Sequence, residues 1–355
     1  MQLVRALKRY AANGSLLLGS LLLTLLVIEG MLRLFDLRLS SYHPISGFCQ
    51  YDEILGWRLA PNRTGLFRGA GFNVMVEQSE QGLRDRFYPH ARDADRRRIL
   101  ILGDSVVWCW GVEMSDCFTE LLESRLPRTD VIAAGAPGYG TSQELLLYER
   151  ELSRFRPDLT LLLFVSNDPA DNIAGDNRPV FEPQDGELVL SNVPVPRRKG
   201  VAKEWLMTHS TLFRQLNYTT QLLRHMIKMA REGTAVERPG DYVPIAPRDQ
   251  PEARRMTEAL LARLQQSVTA DGGRLAIVNS GDAGEEVGRW LEAFSRPRGI
   301  PYLDLAPGLQ RGRAEGLPMT LPSDPHYSVE AHAIVADAIL AFLDDESLVN
   351  QATPR

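Results

Sequence analysis

The sequence is poor in cysteine, and this shortage excludes several kinds of small or metal-dependent protein. Three cysteines in 355 residues cannot form a disulfide framework, and no CxxC pair or Cys/His cluster has the spacing of a zinc site. We therefore predict no metal and no cofactor. Cys109 and Cys117 are candidates for a disulfide bond if the protein folds outside the cytosol, but two free thiols are the favoured interpretation.

An excess of basic charge is also missing. The 40 Lys and Arg residues are outnumbered by 45 Asp and Glu residues, which gives a formal net charge of −5. Because there is neither an overall basic field nor an aromatic-plus-basic repeat, nucleic acid is not an expected partner. The composition, 44% hydrophobic and 24% charged, is that of a globular protein with one large core or two modest ones.

One long apolar run stands near the amino terminus. Residues 11–28 carry no charge and would rise about 27 Å as an α-helix, close to the hydrocarbon thickness of a bilayer. Three basic residues precede the run, so the positive-inside rule places residues 1–10 in the cytoplasm and exports the remainder. We predict that residues 11–35 form an uncleaved signal anchor of the bacterial inner membrane, with the rest facing the periplasm. A cleaved signal peptide and a buried core helix are the alternatives.

The remainder of the chain divides by composition. Residues 36–96 are rich in Arg, Gly and Pro, and we predict an irregular extension that lies on the main domain. Across 97–345, apolar strands alternate with helical patterns, which is typical of a parallel sheet covered on both faces, a three-layer α/β/α domain. Residues 346–355 form a tail. Strands are predicted at 98–103, 130–134, 159–166, 274–279 and 300–304, and helices at 114–126, 141–155, 252–271, 283–297 and 328–344.

A long connection separates the third and fourth predicted strands, so we expect an insertion at about residues 170–250. Within it, residues 179–195 indicate a β-hairpin that turns at 184–186. Residues 203–231 show apolar side chains at helical spacing, and 232–250 form a linker that contains proline. We expect the apolar stripe of this helix to pack on the host domain. A role as a partner surface or as part of a substrate groove is the alternative.

Polar or glycine-rich segments follow the first three predicted strands. Ser105, in Gly-Asp-Ser after the first strand, is a candidate nucleophile, and it is expected to open a helix whose first N–H groups can bind an oxyanion. Gly138 can supply a second backbone donor, and the side-chain amide of Asn167 a third. Since ligands bind at the carboxyl ends of strands in open α/β sheets, we expect these groups to lie together.

A fourth segment, residues 322–332, precedes the last helix and holds an Asp-x-His pair. In extended chain, positions i and i+2 face the same side, so Asp324 can orient Nδ1 of His326 and leave Nε2 free as a base. His332 is expected to pack within the final helix, and Cys109 is a rival nucleophile. Each segment alone is ordinary turn chemistry, but together they supply nucleophile, base, orienting acid and oxyanion donors at one sheet edge.

The four blocks resemble those of the SGNH hydrolases, also called the GDSL esterase/lipase family. Ser105, Gly138, Asn167 and His326 match the Ser, Gly, Asn and His that give the family its name, and Asp324 completes the triad. The resemblance implies a flavodoxin-like three-layer fold and ester hydrolysis through an acyl-serine intermediate.

Three less specific features of the chain resemble those of a membrane-anchored bacterial branch of that family. Members of this branch are often associated with envelope or polysaccharide metabolism. The three features are the amino-terminal anchor, the GLRD segment at 82–85 and the hairpin insertion. In one respect the chain departs from the family, because Cys109 stands where the first block commonly has glycine.

From these features we predict a serine esterase that hydrolyses or transfers short acyl groups, acetyl above all, on a saccharide or envelope component. The expected partners are an ester-bearing small molecule or glycan and, through the amino-terminal helix, the membrane. An O-acyltransferase of the same fold, in which a sugar hydroxyl replaces water, is one alternative. A non-catalytic envelope assembly or binding protein that uses the insertion as its interaction surface is another.

Overall fold

The computed structural model describes residues 2–35, 47–69, 71–175, 177–184, 186–197, 201–213, 215–217, 219–220, 251–282, 284–322 and 324–348. The helices are α1 (Gln2–Leu34), α2 (Phe118–Arg125), α3 (Thr141–Arg150), α4 (Asp168–Asp171), α5 (Val201–His209), α6 (Pro251–Ala270), α7 (Gly284–Ser295), α8 (Ala306–Ala314) and α9 (Val329–Asp345). The strands are β1 (Cys49–Asp52), β2 (Gly56–Leu59), β3 (Thr64–Gly69), β4 (Phe72–Glu77), β5 (Arg97–Gly103), β6 (Thr129–Gly135), β7 (Leu159–Phe164), β8 (Val180–Gln184), β9 (Glu187–Ser191), β10 (Arg274–Asn279) and β11 (Tyr302–Asp304).

The chain forms two compact units. One is built from residues 1–46 and 199–236, and the other from 47–198 and 237–355. In the first unit, Ala12–Leu34 of α1 is long and apolar enough to cross a membrane, and none of its most apolar stretch is buried within the described protein. This helix therefore does not serve as a core helix of the described structure.

The long helix predicted at 203–231 is interrupted. Helix α5 ends at His209, and the chain becomes helical again at Thr211. The Ser210 hydroxyl accepts a hydrogen bond from the Phe213 N–H at 3.1 Å, as a helix N-cap does. Glu29 of α1 accepts bonds from the Thr211 and Leu212 N–H groups, each at 2.8 Å, so its carboxylate satisfies the first donors of the new turn. Residues 221–250, with the rest of the predicted helix and the linker, lie outside the described part of the chain.

The second unit is built around a parallel sheet of five strands in the order β11-β10-β7-β5-β6. Every residue of β6 and β7 is buried, as expected for apolar strands covered on both faces. All five strands of the predicted sheet are present, and the predicted three-layer fold is confirmed. Helix α8 was not predicted, because its Ala-Pro-Gly start and polar sequence carry little helical signal.

Two hairpins lie in the stretch predicted to be irregular. Strands β1 and β2 pair antiparallel, as do β3 and β4. Burial alternates along β4, where Val74 and Val76 point inward and their neighbours do not. Phe67 of β3 is buried with its ring edge-on to Trp108 at 5.2 Å. The prediction of irregular structure was wrong. The many Arg, Gly and Pro residues of the segment obscured the alternation of buried and exposed residues that is typical of strands.

The hairpin predicted within the insertion is formed by β8 and β9, paired antiparallel around the expected turn. Phe181 of β8 is fully buried, and the Arg263 guanidinium of α6 lies 5.2 Å from the centre of its ring. Arg263 also donates to the Leu188 carbonyl of β9 at 3.0 Å. The hairpin is thus packed against a helix of the main sheet domain.

Candidate active site

The site begins at the carboxyl end of β5, where Gly103 leads into Asp104 and Ser105. A Cβ on Gly135, at the end of β6, would lie 2.3 Å from the Trp108 backbone nitrogen, so the turn after Ser105 rests directly on β6. The helix predicted to open at Ser105 is a run of tight turns instead, with the Trp110 N–H donating to the Ser105 carbonyl at 3.1 Å. Cys109 lies in the left-handed region, at a φ of 58°, which a continuing helix does not allow.

Three predicted residues come together above this turn. His326 Nε2 lies 2.8 Å from Ser105 Oγ, and its Nδ1 lies 2.6 Å from Asp324 Oδ1. The backbone N–H of His326 also donates to Asp324 Oδ1, at 3.0 Å. Burial raises the pKa of Asp324, but the hydrogen bonds from His326 and Trp110 outweigh it and leave that pKa below its usual value. An ionised Asp324 selects the tautomer in which Nδ1 carries the proton and Nε2 accepts from the serine.

Two further residues contact this trio, and neither has a role predicted from the sequence. Trp110 donates from Nε1 to Asp324 Oδ2 at 3.2 Å, and its ring is stacked on His326 with centroids 4.7 Å apart. Asp104 Oδ2 lies 3.1 Å from Ser105 Oγ, and Asp104 Oδ1 accepts from the Val106 N–H at 2.9 Å. Trp110 therefore contacts both His326 and Asp324.

Cys109 and Cys117 are joined by a disulfide bond with a Cα–Cα distance of 5.7 Å, so the prediction of two free thiols was wrong. The tight turns after Ser105 double the chain back and bring the two residues together, which their spacing alone did not reveal. Since its sulfur is bonded, Cys109 does not act as a rival nucleophile. Cys49 is a free cysteine.

His332 lies in α9 and packs as expected. Its ring is stacked on Phe118, and Nδ1 accepts from the Phe118 N–H at 3.4 Å. Burial lowers the pKa of His332 to about 3, with the Arg84 charge acting in the same direction. It lies beside Cys109 and Cys117, but the disulfide leaves no thiolate there to bind a metal.

The predicted oxyanion donors follow neighbouring strands. In the sheet, β5 lies between β7 and β6, so Ser105 is flanked by the loop that holds Asn167 and the loop that holds Gly138. Gly138 has a φ of +77°, which glycine adopts without strain. Asn167 donates one side-chain hydrogen to Asp171 Oδ2, at 2.7 Å, and an amide nitrogen carries two.

Buried carboxyl groups shape the electrostatics of this region. Asp104, Glu144 and Asp168 are each buried, and burial raises the pKa of all three. The negative charge of Asp104 adds to the rise for Glu144 and Asp168. A raised pKa favours the neutral acid.

A serine hydroxyl bonded to a histidine whose second ring nitrogen bonds a carboxylate is the arrangement of serine hydrolases. On a parallel α/β sheet with its four blocks in this order, it defines a serine ester hydrolase. The family model of the GDSL-like Lipase/Acylhydrolase family matches residues 101–334, and the chain belongs to that family. The resemblance to the SGNH hydrolases is thereby confirmed.

The chain is similar to several solved structures at low sequence identity. The structure of TesA is 14% identical to this chain and has a TM-score of 0.42. The match covers 71% of this chain and 100% of the TesA chain. A lipolytic G-D-S-L protein from Veillonella parvula is 10% identical, with a TM-score of 0.40 and coverages of 69% and 97%. The acetyl xylan esterase AlAXEase is 12% identical, with a TM-score of 0.37 and coverages of 69% and 98%. No curated protein matches the chain.

Proposed function

We propose that Ser105, His326 and Asp324 form the catalytic triad of an esterase that works through an acyl-serine intermediate. The observation that carries the proposal is the continuous path from Asp324 Oδ1 through the imidazole to Ser105 Oγ, at 2.6 Å and 2.8 Å. No group on this path needs to move before proton transfer, since both contacts have hydrogen-bond length.

The reaction begins when Ser105 Oγ attacks the ester carbonyl carbon and passes its proton to His326 Nε2. The carbonyl oxygen becomes an oxyanion that accepts hydrogen bonds from the Ser105 and Gly138 N–H groups and from Asn167 Nδ2. Collapse of this intermediate expels the alcohol, which takes the proton from His326. Water then attacks the acyl-serine by the same route, and the acid leaves.

The proposal extends to location and substrate. The charge bias before the apolar run supports a catalytic unit outside the cytoplasm, held by α1 in the inner membrane and facing the periplasm. An esterase in that position meets envelope components, so we assign it short acyl esters, acetyl above all, on a saccharide or other envelope component. A reporter fused to the carboxyl terminus is expected to be active only outside the cytoplasm. Activity only inside contradicts this location.

Intact mass after treatment with a fluorophosphonate tests the triad. The full chain in detergent is expected to gain one adduct, while Ser105→Ala gains none and His326→Ala reacts far more slowly. An unchanged mass for the folded wild-type chain contradicts the proposal.

Product analysis tests the acceptor. With acetylated saccharides as substrate, the hydrolase is expected to release free acetate whether or not a second saccharide is present. Acetylated acceptor glycan in place of acetate identifies a transferase, because the pocket and its access to water decide which nucleophile meets the acyl-serine.

A further inference from the structure

We infer that Trp57 and Arg178 are positioning residues that fix the orientation of the Gly138 N–H and the Asn167 amide in the two oxyanion-hole loops. This inference rests on the proposed function. Neither residue belongs to the central sheet. Trp57 comes from β2 in the amino-terminal hairpin, and Arg178 comes from the insertion just before β8. Together they contact the loops of Gly138 and Asn167.

Trp57 fixes the peptide that carries the Gly138 N–H. Its Nε1 donates to the Pro137 carbonyl oxygen at 3.1 Å. In a trans peptide the C=O and the following N–H lie in one plane and point in opposite directions. A bond that holds the Pro137 carbonyl therefore also sets the direction of the Gly138 N–H. Trp57 is itself held by Tyr139, whose hydroxyl donates to the Trp57 carbonyl at 2.6 Å.

Arg178 holds the other side of the same glycine. One guanidinium nitrogen, Nη1, donates to the Gly138 carbonyl and, at 2.9 Å, to Gln143 Oε1. The guanidinium also lies over the Trp57 ring, 5.0 Å from its centre. Both peptide planes that meet at Gly138 are therefore held by these two side chains.

Through Asp171, Arg178 also reaches the second loop. Arg178 Nη2 lies 3.0 Å from Asp171 Oδ1, and Asp171 Oδ2 accepts from Asn167 Nδ2 at 2.7 Å. Because one hydrogen of the Asn167 amide is fixed, the direction of the other is fixed as well. A planar guanidinium can serve a carbonyl and a carboxylate at once in a set geometry, which the single ammonium of lysine cannot reproduce.

The experiment measures kcat and KM for p-nitrophenyl acetate with the full chain. Arg178→Met is expected to lower kcat about ten- to a hundredfold, the loss that is typical when a residue that orients a substrate-contacting group is removed. KM is expected to change less than about twofold. Arg178→Lys is expected to recover part of this loss. Trp57→Phe keeps the ring and removes the donor, and it is expected to lower kcat about tenfold.

Arg263→Met is the matched control. Arg263 pairs with Glu149 at 2.7 Å and contacts the β8–β9 hairpin through Phe181 and Leu188, without touching either oxyanion loop. It is expected to lower the melting temperature as much as Arg178→Met does and to leave kcat unchanged. An equal fall in kcat for both variants overturns the inference, because it reduces Arg178 to a support of the hairpin.

A double-mutant cycle with Asn167→Ala separates positioning from general destabilisation. If Arg178 acts partly through Asn167, Arg178→Met costs less in the Asn167→Ala background than in the wild type. Independent, multiplicative losses overturn the inference, and so does a wild-type kcat in Arg178→Met. These outcomes leave the proposed function standing, whereas full activity in Ser105→Ala removes that function itself.

Discussion

At the scale of single residues, the indole of Trp110 supports both His326 and Asp324. Trp110 binds the oxygen of Asp324 that His326 leaves free, so both carboxylate oxygens have a donor. The stacked ring restricts rotation of His326. Because both oxygens of the Asp324 carboxylate accept hydrogen bonds, it stays ionised to a lower pH than an ordinary aspartate, as its lowered pKa indicates.

Asp324→Asn is expected to lower kcat about 10³- to 10⁴-fold, because an amide at this position favours the wrong tautomer of His326. Steady-state kinetics with a short-chain ester measures the loss. Ser105→Ala is the reference for complete inactivation. An Asp324→Asn enzyme within about tenfold of the wild type contradicts the assigned role.

The same carboxylate makes a pH-dependent contribution to stability. Its pKa in the folded state lies below the usual value of 3.8, so the stabilisation is fully present above 3.8 and is lost as pH falls through the lowered value. The difference in unfolding free energy between wild type and Asp324→Asn is therefore expected to shrink at the most acid pH. Urea unfolding at several pH values measures this difference.

At the scale of elements, the turn that carries Ser105 is held by a segment far from it in sequence. Arg84, in the GLRD segment, is buried and donates to the carbonyls of Trp108 and Val112, each at 2.8 Å, and to that of Cys109. Asp85 accepts from the Ala133 N–H of β6 at 2.8 Å. The GLRD segment is thus part of the structure that positions the turn of Ser105.

Arg84→Met is expected to lower the free energy of unfolding by about 3 kcal/mol or more, because it leaves several buried carbonyls without a donor. Denaturant unfolding measures the change. Arg289→Met is the control, since Arg289 is exposed and pairs with Glu285 within one helix, where such pairs contribute little. Equal stability of the two variants contradicts the role given to Arg84.

The sequence predicted those elements whose signal is local. Apolar runs indicated the strands of the central sheet, and small or polar residues at their ends indicated Ser105, Gly138 and Asn167. The interruption at Ser210 depends on Glu29, which is distant in sequence, and the roles of Trp57 and Arg178 depend on contacts between separate loops. Such contacts have no local pattern, so they became visible only in the folded chain.

At the scale of the whole molecule, the disulfide bears on where the protein folds. Cys109 and Cys117 are bonded and Cys49 is free, and disulfides persist in oxidising compartments. Denatured protein purified without reductant is expected to take up one maleimide, on Cys49, and reduced protein three. Three labels without reductant contradict the bond and favour a cytosolic domain. Cys49→Ser, expected to take up none before reduction, is the control.

The buried carboxyl groups Glu144 and Asp168 affect the measured enthalpy of unfolding as well as the charge of the folded protein. With each pKa raised well above its usual value, the folded chain retains protons that the unfolded chain releases at pH values between the usual pKa and the raised one. Stability contributed by these groups therefore declines as pH rises from their usual pKa towards the raised one. The released protons are taken up by the buffer, so the unfolding enthalpy measured by calorimetry will change with the ionisation enthalpy of the buffer chosen.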